Sequence, residues 1–182
     1  MMASMPSLER LRVASVDEGR INRNNDMQIL AKGSHAAMLG AAERANVAQR
    51  LMNGQEDINT YMNGVCYDAV AYVRFLLNAA ITPNALIETR GQQWLPAFDF
   101  AVGTLWMGHA IPAGTALGFQ RAGGTFFHAA LAVGGTQIRG INGLLLGAGW
   151  LQDCNLVPQL QPDANGWSAY DGTQIRVWLS AV

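Results

Sequence analysis

Helical spacing of apolar residues marks two segments in the first half of the chain. Over residues 36–52 apolar side chains recur every three or four positions opposite charged ones, which predicts an amphipathic helix closed by Asn53-Gly54. A second apolar run, 65–77, follows Asn63, which could serve as its N-cap. Because this run is apolar around nearly its whole circumference, we expect the second helix to be buried against a sheet.

The second half of the chain has the pattern of an antiparallel sheet. Runs 115–119, 125–133 and 136–142 are joined by glycine-containing turns, which predicts a meander of three strands. Residues 173–179 alternate polar and apolar side chains, which predicts a last strand with one wet face. Helices followed by strands indicate an α+β fold in which the buried helix packs on the sheet.

The first 34 residues lack this periodicity and are polar, so we expect a flexible leader over 1–34 and a single domain over 35–182. The N-terminus has no cationic region followed by an apolar core, so no classical secretory signal is expected. Export by another route stays open.

Charge and composition narrow the function classes. A formal net charge of -1 without any cluster of basic residues argues against nucleic-acid binding. No apolar run reaches the roughly 18 residues that a membrane span needs. The two cysteines are too few for a disulfide framework, and no cysteine or histidine spacing is typical of zinc. We therefore expect neither a membrane span nor a cofactor.

The basic residues are nearly all arginine, since Lys32 is the only lysine among the 12. A GC-rich genome would produce this bias. Selection against ubiquitination inside a eukaryotic cell would produce it too, because lysine is the residue that ubiquitin modifies. The second explanation indicates an effector that is delivered into a host cytoplasm.

Cys66 is a candidate nucleophile because it lies in the first turn of the predicted buried helix. The positive end of a helix favours a thiolate by about 0.3 to 1 kcal/mol where exposed, and its free backbone N–H groups could stabilise an oxyanion. Free cysteine is also among the most buried residue types. Inert packing is therefore the competing interpretation.

His128 is the candidate base, as one polar side chain in the apolar run 125–133. A histidine at such a position is more often a satisfied core residue, but a base requires the fixed orientation that a strand provides. Asn142 or Asp171 could accept from the far imidazole nitrogen and fix its tautomer. Each also precedes a glycine, and both dipeptides are typical of turns.

A cysteine that opens a buried helix, followed by a meander in which His128 precedes Ala-Ala-Leu-Ala-Val-Gly-Gly, resembles the papain-like and NlpC/P60-like cysteine hydrolases. The resemblance implies a papain-like core with Cys66 as nucleophile, His128 as base and Asn142 as third residue. The glutamine that precedes the papain cysteine is missing, and Gln55 or Asn59 could supply the oxyanion donor instead.

The order Cys66, His128, Asp171 also resembles the bacterial TecA-type effectors, which deamidate Rho-family GTPases. This resemblance implies Asp171 as the third residue and a host small GTPase as the protein substrate. We expect a secreted cysteine amidohydrolase that deamidates glutamine or asparagine side chains. The alternatives are an NlpC/P60-type peptidoglycan amidase and a non-catalytic interaction module in which Cys66 is simply packed.

Overall fold

The structure, a computed structural model, describes residues 39–100 and 104–181, and places most helices before the strands. The helices are α1 (Ala41–Met52), α2 (Cys66–Leu76), α3 (Pro83–Glu88), α4 (Leu95–Phe98) and a late α5 (Leu156–Gln159). The strands are β1 (Thr104–Leu105), β2 (Ala116–Arg121), β3 (Phe126–Gly134), β4 (Gln137–Arg139), β5 (Cys154–Asn155), β6 (Ser168–Tyr170) and β7 (Thr173–Leu179). This mixture of helices and antiparallel strands is an α+β fold, as predicted.

The strands form one antiparallel sheet in the order β1-β7-β2-β3-β4-β5, with β6 paired to β7. The predicted meander corresponds to β2, β3 and β4, and the predicted last strand coincides with β7. Gly134 and Gly135 join β3 to β4 with φ angles of 120° and 58°, which glycine adopts without a steric penalty. The pairing of β2 with β3 contains one irregularity, because Phe127 is an extra residue between the pairs that Phe126 and His128 make.

The start of α2 differs from the prediction. Val65, not Asn63, is the N-cap, and the carboxylate of Asp68 accepts from the Val65 N–H at 3.0 Å. A carboxylate at the third position of a helix satisfies a backbone donor that has no partner within the helix, and its charge is favourable at that end. Every residue of α2 is buried, which agrees with the predicted burial.

The sheet is covered on both faces. One face packs on the helices, where Ala129 and Leu131 of β3 join the core that includes Cys66 and most of α2. On the other face Ala130 and Ala132 join a second core with Phe119 and Leu146, which also includes Leu156 of α5. Because successive side chains of a strand point to opposite faces, neighbouring residues of β3 enter different cores.

The predicted leader over 1–34, the first residues of the predicted 35–182 domain and the first residues of the predicted first helix, 36–38, lie outside the described residues. The helix itself is present from Ala41 onward and is followed by Asn53 and Gly54, with a positive φ at Gly54. Among the helices that the structure describes, none has the length and apolar character to cross a membrane.

Candidate functional site

A buried carboxylate organises the start of α2. Asp68 is 3% exposed, and besides Val65 it accepts from the Gly91 N–H at 3.2 Å and from the Trp94 indole N–H at 3.1 Å. Gly91–Trp94 is a turn of 3₁₀ helix, and the positive φ of 57° at Gly91 suits glycine. The carboxylate therefore joins this turn to the end of α2 that carries Cys66.

The Cys66 thiol lies in the first turn of α2 against β3, and the residue is 6% exposed. Burial raises the pKa of the thiol above its ordinary value, hydrogen bonding from the backbone of Ala129 and Tyr67 opposes this, and the Asp68 charge adds to the rise. The backbone groups at the helix end lower the thiol pKa, as expected, but the loss of solvent outweighs them, so the net shift is upward.

Tyr67 follows Cys66 in α2, and the side chain of Gln92 lies near Tyr67. Tyr67 is 4% exposed, and its hydroxyl has no hydrogen-bond partner within the described residues. Burial raises the pKa of this hydroxyl, as does the nearby Cys66, whereas the side chain of Gln92 is close enough to oppose the rise. The Gln92 amide itself donates to the Phe126 carbonyl at 3.2 Å.

His128 is 2% exposed, and its imidazole lies against the ring of Phe119, with 5.1 Å between ring centroids. Its Nε2 is 2.8 Å from the Leu146 carbonyl oxygen, and since a carbonyl can only accept, Nε2 carries the proton. Burial lowers the pKa of His128 to about 4, while this hydrogen bond opposes the shift. The imidazole is therefore neutral at pH 7.

The structure does not bring the thiol and the imidazole into contact. His128 pairs with Phe119, which belongs to the second core, whereas Ala129 faces the core that contains Cys66. The two side chains thus lie on opposite faces of β3, although the thiol touches the backbone of the residue next to His128. No hydrogen bond joins these two described side chains.

Neither residue proposed as the third member bonds the imidazole. Asn142 lies beyond the end of β4 with a φ of 60° and an exposed side chain, and Asp171 is exposed in the β6–β7 turn with a φ of 50°. Both positive φ angles fit the turn-forming interpretation of Asn-Gly and Asp-Gly. The Leu146 backbone carbonyl fixes the tautomer instead, which is the role that sequence reasoning gave to a side chain.

The loop after β4 encloses the imidazole. A Cβ atom added at Gly143 would overlap the His128 ring, and one at Gly147 would lie 3.0 Å from the Gly140 Cα. These glycines therefore allow backbone to pass directly over the ring. Their density between residues 140 and 149 is the one sequence signal that could have indicated a backbone partner for His128.

Gln55 and Asn59, the expected oxyanion donors, contact residues close to them in sequence. The Asn59 side-chain amide donates to Asp57 in a 3₁₀ turn, and the Gln55 backbone N–H donates to the Asn53 side chain after α1. Sequence reasoning missed Asp68, whose carboxylate accepts from both ends of the Gly91–Trp94 turn.

Within residues 39–100 and 104–181 no group of three or more histidine, cysteine or acidic side chains could hold a metal ion. No protein-family model matches the chain. No curated protein matches it either.

Proposed function

We propose that this protein is a cysteine amidohydrolase of papain-like type that deamidates glutamine or asparagine side chains of a host protein, with Cys66 as its nucleophile. One observation supports it most. At the start of α2 the thiol lies against the backbone of Ala129 and Tyr67, which hydrogen-bond to it. A nucleophile with hydrogen-bond donors around it is the arrangement that acyl transfer from a carboxamide requires.

In the proposed reaction the imidazole takes the thiol proton, the thiolate attacks the carbonyl carbon of a carboxamide, and backbone N–H groups at the start of α2 stabilise the oxyanion. The C–N bond then breaks, and ammonia leaves with a proton from imidazolium, which leaves a thioester. Water attacks the thioester as the imidazole takes one of its protons, and the imidazolium then gives that proton to the departing thiolate. The carboxylic acid that forms loses its proton to ammonia in solution, so the net change is hydrolysis of one carboxamide by water to a carboxylate and ammonium.

His128 is the proposed base, and the proposal requires a movement of its ring. The neutral Nε2–H tautomer leaves Nδ1 without a proton, as a base needs. Its ring, however, lies on the far side of β3 from the thiol. The ring must leave the Leu146 carbonyl and pass around the edge of β3. This edge is not paired with β4 at His128, because the pairing of β3 with β4 begins at Leu131.

The test is incubation with candidate host proteins, Rho-family GTPases first, followed by mass spectrometry of their glutamine and asparagine residues. We expect Cys66→Ala to abolish the conversion of carboxamide to carboxylate. We expect His128→Ala to lower it by about 10²–10⁴-fold, the usual contribution of a general base. Cys154→Ala is the matched control, because Cys154 is the second free cysteine and its thiol donates to the Leu145 carbonyl, on another element. Unchanged activity of Cys66→Ala would remove this thiol from the mechanism.

The rival within the hydrolases is the NlpC/P60-type peptidoglycan amidase. Incubation with purified sacculi separates the two, since released muropeptide fragments favour the amidase and intact sacculi with a deamidated protein favour the deamidase.

Asp171 and Asn142 are tested as third residues in the deamidation assay. Because both are exposed, we expect Asp171→Ala and Asn142→Ala to keep most of the activity unless the ring movement brings one of them to the imidazole.

A non-catalytic interaction module is the second candidate, and the opposite orientation of thiol and imidazole favours it. Four large apolar side chains are also exposed near one another in the chain, at Leu144, Leu145, Leu151 and Val157. Alkylation of Cys66 separates the candidates. Rapid alkylation below pH 7 indicates a lowered thiol pKa and favours the hydrolase, whereas an inert thiol favours the module.

A further inference from the structure

Arg74 is a buried cation in the last turn of α2, at the opposite end of this helix from the thiol. The residue is 8% exposed. With a rise of 1.5 Å per residue, it lies about 12 Å along the helix axis from Cys66. A site at Arg74 is therefore separate from the proposed reaction and does not depend on it.

The guanidinium of Arg74 has hydrogen-bonding capacity that the described residues do not use. Its Nη1 donates to the Gly114 carbonyl at 3.0 Å, and its Nη2 donates to the Ala181 carbonyl at 3.3 Å. The buried Nε–H has no partner within residues 39–100 and 104–181. Since a guanidinium has five N–H groups, a ligand can accept from those that remain.

The positive charge of Arg74 is also incompletely neutralised. Within the part of the chain that the structure describes, the ion pairs join Arg50 to Glu56 and Arg139 to Asp153. Burial lowers the pKa of Arg74, because the guanidinium loses water. The carbonyl end of α2 carries about half a negative charge, so it offsets only part of the guanidinium charge. An anion bound here would neutralise the rest.

The guanidinium lines a cavity of about 550 Å³. Arg74 is the one charged residue among those that line it. Most of the other lining residues have apolar side chains: Leu77, Ala79, Ala80 and Ala113. One cation in otherwise apolar walls is complementary to a ligand that has one anionic group and a short apolar part.

The turn after α2 forms one wall of this cavity. Asn78 ends the helix with a φ of 62°, and the Ala79 N–H donates back to the Arg74 carbonyl at 2.9 Å, as is common at helix ends. Ala80 has a φ of 60° although it ends no helix. An alanine in this conformation is strained, and such residues are often found where a ligand is held.

We propose that Arg74 and Asn78 bind the carboxylate of a small organic monoanion in this cavity. The remaining guanidinium N–H groups donate to the carboxylate, whose planar shape matches that of the guanidinium. The exposed Asn78 amide, which lines the same cavity, donates to it as well. The apolar part of the ligand packs on Leu77 and the alanines. A dianion such as phosphate is disfavoured, because it meets a single cation beside the partly negative helix end.

Titration of the full chain with butyrate, followed by the NMR resonance of the Arg74 Nε–H, tests the site. We expect a saturable shift, because a carboxylate on the guanidinium changes the surroundings of this proton. Acetate should bind about threefold more weakly for each methylene that it lacks. Phosphate at the same ionic strength should also bind more weakly than butyrate. A shift that is linear in butyrate concentration, one that chloride reproduces, or tighter binding of phosphate would overturn the proposal.

Asn78→Asp is the most informative variant. Aspartate tolerates the positive φ, and its carboxylate would pair with Arg74 and repel the ligand. We expect the butyrate affinity to fall by about tenfold or more. Asn84→Asp is the matched control, since Asn84 is exposed in α3 and does not line the cavity. Equal butyrate affinities in the two variants would contradict the site.

Arg74→Lys separates the shape of the cation from its charge. A lysine keeps the charge but loses the planar N–H groups, so butyrate should protect this variant less against thermal unfolding than it protects the parent. Equal protection would contradict binding by the guanidinium. Circular dichroism checks that the variants are folded, and the titration of the parent decides if one of them is not.

A chain extended by Gly-Ser-Gly after Val182 distinguishes a dissolved carboxylate from one that belongs to the chain. The comparison is needed because Arg74 bonds the Ala181 carbonyl. We expect the same butyrate affinity with and without the extension. Tighter binding to the extended chain would mean that a carboxylate of the chain itself competes for Arg74, and it would overturn the assignment to a small-molecule ligand.

Discussion

The two faces of β3 offer opposite environments to neighbouring residues. On the helix face, Ala129 presents its backbone to the Cys66 thiol at the capped end of α2, next to the buried Tyr67. On the other face, the imidazole of His128 is enclosed by Phe119 and by backbone of the loop after β4. Two residues that are adjacent in sequence therefore have different surroundings. A histidine next to a residue that touches the thiol does not itself touch the thiol.

Substitution of Asp68, the buried carboxylate on the helix face, should have the largest effect on the free energy of unfolding. Asp68→Ala leaves three donors without their acceptor, so we expect a loss of about 3 to 5 kcal/mol in the free energy of unfolding. Urea denaturation measures it. Asp68→Asn, which keeps one acceptor oxygen, should lose less, and equal losses in both variants would mean that the hydrogen bonds are not the reason.

The enclosed imidazole should make stability depend on pH. The folded pKa of His128 is about 4, below that of an unfolded histidine, so the unfolded state binds more protons between about pH 6.5 and pH 4. The contribution is present above pH 6.5 and is lost as the pH falls toward 4, by on the order of 3 kcal/mol in total.

His128→Gln isolates this contribution from the carboxylates that titrate in the same range. The difference in unfolding free energy between the parent and the variant should shrink as the pH falls from 6.5 to 4. A difference that is constant over this range would contradict a buried neutral imidazole.

Substitution of Gly143, which lies against the imidazole, should have an intermediate effect on the free energy of unfolding. Gly143→Ala places a methyl group where the ring lies, and overpacking of this kind costs about 1 to 3 kcal/mol. Thermal unfolding measures the loss. In the His128→Ala background the same change should cost much less, because the ring is gone, and equal costs in both backgrounds would contradict this contact.

The thiol should contribute least to stability. Cys66→Ala removes one buried group, at a cost of about 1 kcal/mol. Cys154→Ala, at a half-buried site, should cost less still. If Cys66→Ala instead raised the free energy of unfolding, the thiol would destabilise the folded protein. This is often found for residues that are retained for a reaction.

The elements were predictable from sequence where local patterns decide them. Apolar spacing gave α1 and the buried α2, and paired glycines gave the β3–β4 hairpin. The N-cap was not predictable, because a long-range network decides it. Asp68 gains two of its donors from Gly91 and Trp94, and these contacts exist only after the chain has folded.

The candidate site was predictable in part. Sequence gave a cysteine at the start of a helix and a histidine in the strand against which that helix packs. The face of the sheet on which the His128 side chain lies depends on the extra residue, Phe127, in β3. A short apolar run with few polar positions does not show which side chains share a face. Its partner is a backbone carbonyl, and every residue type carries one, so no pattern of side chains could identify Leu146.

The extra residue at Phe127 also restricts how β3 can slide against its neighbours. A displacement by one residue would exchange the two faces and bring the imidazole toward the sulfur. The unmatched residue at one end of β3 and the glycine reversal at the other oppose such a displacement from both directions. Any route that unites the two side chains in the folded protein must therefore open the start of this strand locally, rather than move the strand as a whole.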